Sequence, residues 1–335
     1  MHTCGILEPI VIRIEIDTFS GRHNPSWELP DEQARALLAE FTAGRSALST
    51  APGPSRLGFR GLEVQIGDSA RAKDYGLPHI FRIGDGQATD PDASRAIARR
   101  LLTAAPVLDG HPAVALEELA EIPFMPATDA GATDSKPQPG DTPLGTLEGE
   151  PDDEPEDDMR NALDEIAPGA DVRNADLRQL RVAGCRAEIG PFMPDYWNDP
   201  NVIRRNNCYA YACNRRTDTR PQPGQINGMT LYDTLASTTL NAMVDGARTT
   251  SDCCSILEKP RWLVALVTYP DNARHWDYHW YRRLTRGRWG HKPGRTRATM
   301  YDNAGHLITD PQTCSRGRYT QFGGYFYIPR SMTIA

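Results

Sequence analysis

The stretch from about 121 to 170, EIPFMPATDAGATDSKPQPGDTPLGTLEGEPDDEPEDDMRNALDEIAPG, limits what this chain can fold into more than any other feature. Proline, glycine and acids dominate it, and EGEPDDEPEDD is almost pure acid. Such a composition buries too little apolar surface to offset the entropy lost on ordering, so the stretch predicts a disordered linker. No single core can run through it. A chain of 335 residues also exceeds one typical core. The expected layout is therefore a small α+β module over 1–120, a linker over 121–170 and a second domain over 171–335, α+β throughout.

Charge is divided along the same line. Residues 171–335 carry 23 Lys+Arg against 14 Asp+Glu, while the whole chain is at −7, which leaves 1–170 strongly acidic. An asymmetry of this size implies attraction between the halves or an anionic partner for the C-terminal one. The acidic linker folding onto the basic domain is one form of that contact. No reading-helix pattern or basic cluster marks a nucleic-acid binder. The longest apolar run, WLVALV, is too short to cross a membrane, and the N-terminus lacks the pattern of a cleavable signal. Seven irregularly spaced cysteines do not form a disulfide framework. The expected location is the cytoplasm, or export without a cleavable signal.

In the first module, IVIRIEID (10–17) alternates as a half-buried strand does, and FRGLEVQIGD and HIFRIGDG predict two more strands. Pro30 opens a helix whose inner face holds Leu37, Leu38 and Phe41, and Asp90 caps a second with Pro91 in its first turn. The loop DTFSGRHNPSWELP (17–30) is unusually rich in special residues and reads as a packed loop over a small core, with His23 and Trp27 available for binding.

The C-terminal half begins with a helix over VRNADLRQLRVA, and TLYDTLASTTLNAMVDGA predicts another. RWLVALVTYP has the character of a central buried strand, and DYHWYRRL, RWGHKPG and GGYFYIP follow as strands. In HWDYHWYRRL, strand alternation puts His275, Asp277, His279 and Tyr281 on one face and Trp276, Tyr278 and Trp280 on the other. A three-residue loop at Thr285-Arg286-Gly287 places Gly287 in the left-handed region, sets Tyr281 opposite His291, and keeps His291 on the face of His279. A two-residue turn sends His291 to the opposite face.

Against this hairpin stands NNCYAYACN (206–214), where Cys208 opens a helix. Unpaired N–H groups there favour thiolate, an imidazole can accept the thiol proton, and a third polar group can hold the imidazole. Cys208, His279 and His291 supply these roles in chain order. The Cys208 N–H with the Asn206 or Asn207 side chain would form an oxyanion site. Cys208 in NNCYAYA, His279 in DYHWYRR and His291 in WGHKPG together resemble the papain-like cysteine hydrolases in their NlpC/P60-type form, over about 200–330. Where that family commonly has an acidic residue and a serine around its cysteine, this chain has Asn207 and Tyr209. The resemblance implies a helix packed on an antiparallel sheet. It also implies cleavage or transfer at an amide through a thioester on Cys208, with His279 as base, His291 as orienter, and a peptide or peptidoglycan-like substrate.

Other readings stand beside it. His275 and Asp277 support the histidine face, and Asp302 or Asn303 offers an alternative orienter in what is otherwise a plain turn. Cys213 belongs to the core. Lys292 reads as a solvated charge near a basic surface. Cys208, Cys213, His275 and His279 have the spacing of a structural zinc site, although the hydrolase reading needs no metal or cofactor. A non-catalytic module binding peptide or glycan through its aromatic face is the remaining class.

Overall fold

The computed structural model describes residues 9–106, 108–120, 187–250 and 256–335. The expected linker over 121–170 and the expected helix over VRNADLRQLRVA lie outside them. The layout is two-domain α+β, with one antiparallel sheet in each part.

In the N-terminal part β1 (Ile12–Ile16), β2 (Ser26–Leu29), β3 (Leu62–Ile66) and β4 (Ile80–Ile83) form a sheet of order β2-β1-β3-β4. Ile12, Ile14 and Ile16 face a core shared with Leu37, Leu38 and Phe41 of α1 (Asp31–Ala43). α2 (Ser69–Asp74), α3 (Pro91–Thr103) and α4 (His111–Leu119) follow. The Asp90 carboxylate caps α3 by accepting from Ala93 N at 3.0 Å, with Pro91 in the first turn, as the sequence implies.

The loop 17–30 is not loop throughout. Its second half is β2, which sets Trp27 opposite Ile14 and buries the indole in the core, while His23 is exposed. α2 and α4 give no periodicity strong enough to be read beforehand. The alternation in β1 also predicts an outward Glu15, yet Glu15 is buried. Asn24 Nδ2 donates to it at 2.8 Å and Arg295, from the other domain, pairs with it at 3.2 Å.

The C-terminal part contains α5 (Pro194–Asn198), α6 (Cys208–Ala212) and α7 (Leu235–Asp245). Its sheet has the order β5-β9-β6-β7-β8: β5 (Arg248–Thr249), β6 (Trp262–Thr268), β7 (Tyr278–Arg283), β8 (Trp289–His291) and β9 (Gln321–Ile328). β6, WLVALVT, is central and almost wholly buried, as its apolar run predicts. The β7–β8 turn has the three-residue form: Leu284 N donates to Arg288 O at 2.8 Å, Gly287 has φ 69°, and Tyr281 lies opposite His291.

The two parts meet across a polar seam. Glu63 of β3 pairs with Arg295 at 2.8 Å and with Arg204 at 2.5 Å, and it is 4% exposed. Asn303 clasps Leu57 from both sides, accepting from its N–H at 2.8 Å and donating to its carbonyl at 3.0 Å. The charge asymmetry along the chain is thus partly neutralised within the molecule.

Candidate functional site

α6 lies on one face of β7, and three contacts fix which face. The Tyr209 ring packs 5.7 Å from Trp280, Arg282 Nη1 donates to Tyr211 O at 2.8 Å, and Cys208 Sγ reaches Tyr278 O at 3.9 Å. Asn207 is the N-cap, accepting from Ala210 N at 3.1 Å. With α6 set against Tyr278, Trp280 and Arg282, strand alternation turns His279 and Tyr281 the other way.

On that far face the histidine pair forms as its register requires. His279 Nε2 and His291 Nδ1 are 2.9 Å apart, and His291 Nε2 lies 2.9 Å from Tyr301 O. A carbonyl only accepts, so His291 Nε2 carries the proton and its Nδ1 accepts from His279 Nε2–H. The hydrogen bonds run in one direction, and His279 Nδ1 has no hydrogen-bond partner among the described residues. The Tyr281 ring stacks on His291 at 5.0 Å. Burial pushes His279 well below the ordinary histidine range, with His291 adding to the effect, and burial pushes His291 down to about 4.

The structure therefore assembles His279 with His291 but does not bring Cys208 to them. Cys208 Sγ has its contact at the Tyr278 carbonyl and His279 Nε2 at His291, and both residues are fully buried. Burial, with the nearby Asp277 carboxylate adding to it, holds the Cys208 thiol well above its usual value. A five-residue helix does not reverse that, so the expectation of a stabilised thiolate is corrected by desolvation. Cys213 is core, as expected.

The supporting residues are placed as follows. Asn206 Oδ1 accepts from Thr217 N and Asp218 N at 3.2 Å each, and its Nδ2 donates to Asp218 Oδ1, so it shapes the following loop. Asn207 Nδ2 donates to Gly21 O at 3.0 Å and Pro221 O at 2.8 Å. His275 lies apart, its ring 4.3 Å from that of His111. The zinc alternative is not gathered: among the described residues no three His, Cys, Asp or Glu side chains converge on a metal position. Asp302 accepts from Ala304, His306 and Ser315 N–H groups, which is turn chemistry.

Lys292 corrects another expectation. It is fully buried rather than solvated, and its ammonium donates to Ile203 O at 2.6 Å, Gly294 O at 2.7 Å and Asn206 O at 2.8 Å. Burial pushes it well below the ordinary lysine range. It ties β8 to the turn that leads into α6. HKPG gave no sign of this, because the three acceptors are backbone.

Asp277 holds the polar contact that the sequence did not disclose. Its carboxylate accepts from Ser20 N at 2.6 Å, Arg22 N at 3.0 Å, Gly21 N at 3.3 Å and the Tyr319 hydroxyl at 2.5 Å. The N-terminal loop thus covers the start of β7, and the only available signal was its residue make-up.

Fold and site together define a two-domain α+β protein with a buried polar seam and a cysteine and histidine pair held apart. Over 145 residues, 42% of its length, the chain is 37% identical to insoluble matrix shell protein 1 of Ruditapes philippinarum, covering 91% of that protein. The chain belongs to the family of that protein. No family model and no solved structure matches it significantly.

Proposed function

We propose that this protein is a non-catalytic component of an insoluble matrix, in which the C-terminal domain acts by binding rather than by acyl transfer. The observation that carries this reading is that the Cys208 sulfur and the His279 imidazole are each buried against a different partner, with no hydrogen bond between them among the described residues. Thiol-dependent amide chemistry requires the imidazole within hydrogen-bonding reach of the sulfur. Here the sulfur lies against the Tyr278 carbonyl and the imidazole against His291. The family relation supports the matrix role, since the name of the relative places that protein in an insoluble shell matrix. In such a role the chain works outside the cell, the second of the two locations expected from the sequence. Among the described residues no helix is long and apolar enough to cross a membrane.

The test is chemical. Native full-length protein is treated with iodoacetamide, and peptide libraries are assayed for amide cleavage alongside Cys208→Ala and His279→Ala. Expected are no alkylation of Cys208 before unfolding and no turnover. Turnover lost in both variants, or a thioester trapped on Cys208, would restore the cysteine hydrolase reading.

A further inference from the structure

The contact between the N-terminal loop and the C-terminal domain has the form of a peptide in a receptor. Three consecutive N–H groups, those of Ser20, Gly21 and Arg22, converge on the Asp277 carboxylate. The Gly21 carbonyl accepts from two side-chain amides, Gln222 Nε2 at 2.8 Å and Asn207 Nδ2 at 3.0 Å. The Arg22 carbonyl accepts from Arg220 Nη2 at 2.8 Å. The Arg22 guanidinium reaches Asp233 at 2.6 Å and Trp276 O at 3.3 Å. Every main-chain group in this set is bound by a side chain of the C-terminal domain. Consecutive N–H groups form a concavity that suits an anion, and main-chain recognition of this kind is how peptide sites gain affinity.

Side-chain selection is present too. A Cβ built on Gly21 would lie 2.4 Å from the Tyr278 ring, so only glycine fits there. That ring is held by its own hydroxyl, which donates to Gln222 Oε1 at 3.0 Å. Asp233 and the Trp276 carbonyl select a basic residue next. We infer that Asp277, Asn207, Gln222, Arg220 and Asp233 form a peptide-binding site, which takes a glycine followed by a basic residue and is filled by the chain's own Ser20–Arg22. The same site receives this segment from a separate peptide once the resident loop is displaced. The inference rests on the binding reading of the C-terminal domain and gives it a ligand class.

The probe is a fluorescent peptide of sequence TFSGRHN, added to the full-length protein. Gly21→Val should expel the resident loop and raise affinity for the peptide roughly tenfold or more over wild type, whose own segment competes at high effective concentration. Adding Asp277→Asn should remove that gain, and a TFSVRHN peptide should not bind. A folded Gly21→Val protein that captures the peptide no better than wild type overturns the proposal. Should Gly21→Val fail to fold, Arg22→Ala decides, since it deletes only the contacts to Asp233 and Trp276 O. Tighter capture than wild type supports the site, and equal capture overturns it. Cleavage of the bound peptide would sink the non-catalytic reading while leaving the binding site in place, so the two failures are distinguishable.

Discussion

At the scale of single residues, His279 and His291 make stability depend on pH. Both are buried and neutral, and burial lowers their affinity for protons relative to the unfolded chain. For His291 the folded value of about 4 lies below the unfolded value of 6.5. The unfolded state then binds more protons between these values, so stability is lost as pH falls from about 6.5 to about 4. The loss reaches about 3 kcal/mol for His291, and His279 adds in the same direction. Asp277 works against it, since burial raises its value and it gains from protonation as pH falls. The measurement is therefore a difference: urea midpoints at pH 7.5 and 4.5 for wild type and His291→Gln. The variant should show the weaker pH dependence, and equal slopes would refute the assignment.

At the scale of elements, the β7–β8 hairpin was legible in the sequence because glycine placement and loop length jointly fix register. Gly287 at φ 69° is the residue that holds it. A Cβ there meets only Arg283 Nη2 at 3.4 Å, so the cost of Gly287→Ala is backbone strain, about 1 kcal/mol. A lowered urea midpoint with the Tyr281–His291 pairing intact is the expected outcome. The strands β1, β3, β4, β6 and β9 were legible from their apolar alternation or runs. What could not be read is which face of β7 receives α6. Periodicity assigns residues to faces, but long-range packing decides what covers each. The aromatic face drew α6 through Tyr209 and Tyr211, and the histidine face was left to Tyr301 and Tyr319. The resemblance assumed the other choice. Lys292 and Asp277 escaped for a related reason, since their partners are backbone groups with no sequence signature.

At the scale of the molecule, the acidic N-terminal and basic C-terminal parts are joined by buried carboxylates of the first and partly exposed guanidinium groups of the second. Glu63 compensates Arg82, Arg204 and Arg295 at once. Arg82 keeps Asp17 and Asp85 and Arg295 keeps Glu15 when Glu63 is neutralised, so Arg204 alone loses its carboxylate, and Glu63→Gln should cost about 2 kcal/mol. The seam couples the two cores, so calorimetry should show one transition in wild type and two in the variant. An unchanged single transition would mean that the domains are joined by other contacts.

The bond from Ser20 to Asp277 spans 257 positions of the chain. At ordinary synthesis rates the ribosome needs about 13 to 50 seconds to cover that distance. During that interval the nascent N-terminal domain presents an open Ser-Gly-Arg loop while its own acceptor does not yet exist. On a polysome, finished neighbours carry the acceptor already. A completed copy has that acceptor filled by its own loop, so the growing loop stays open until its own β7 emerges, and the order of synthesis makes this clasp one of the last contacts the chain can close.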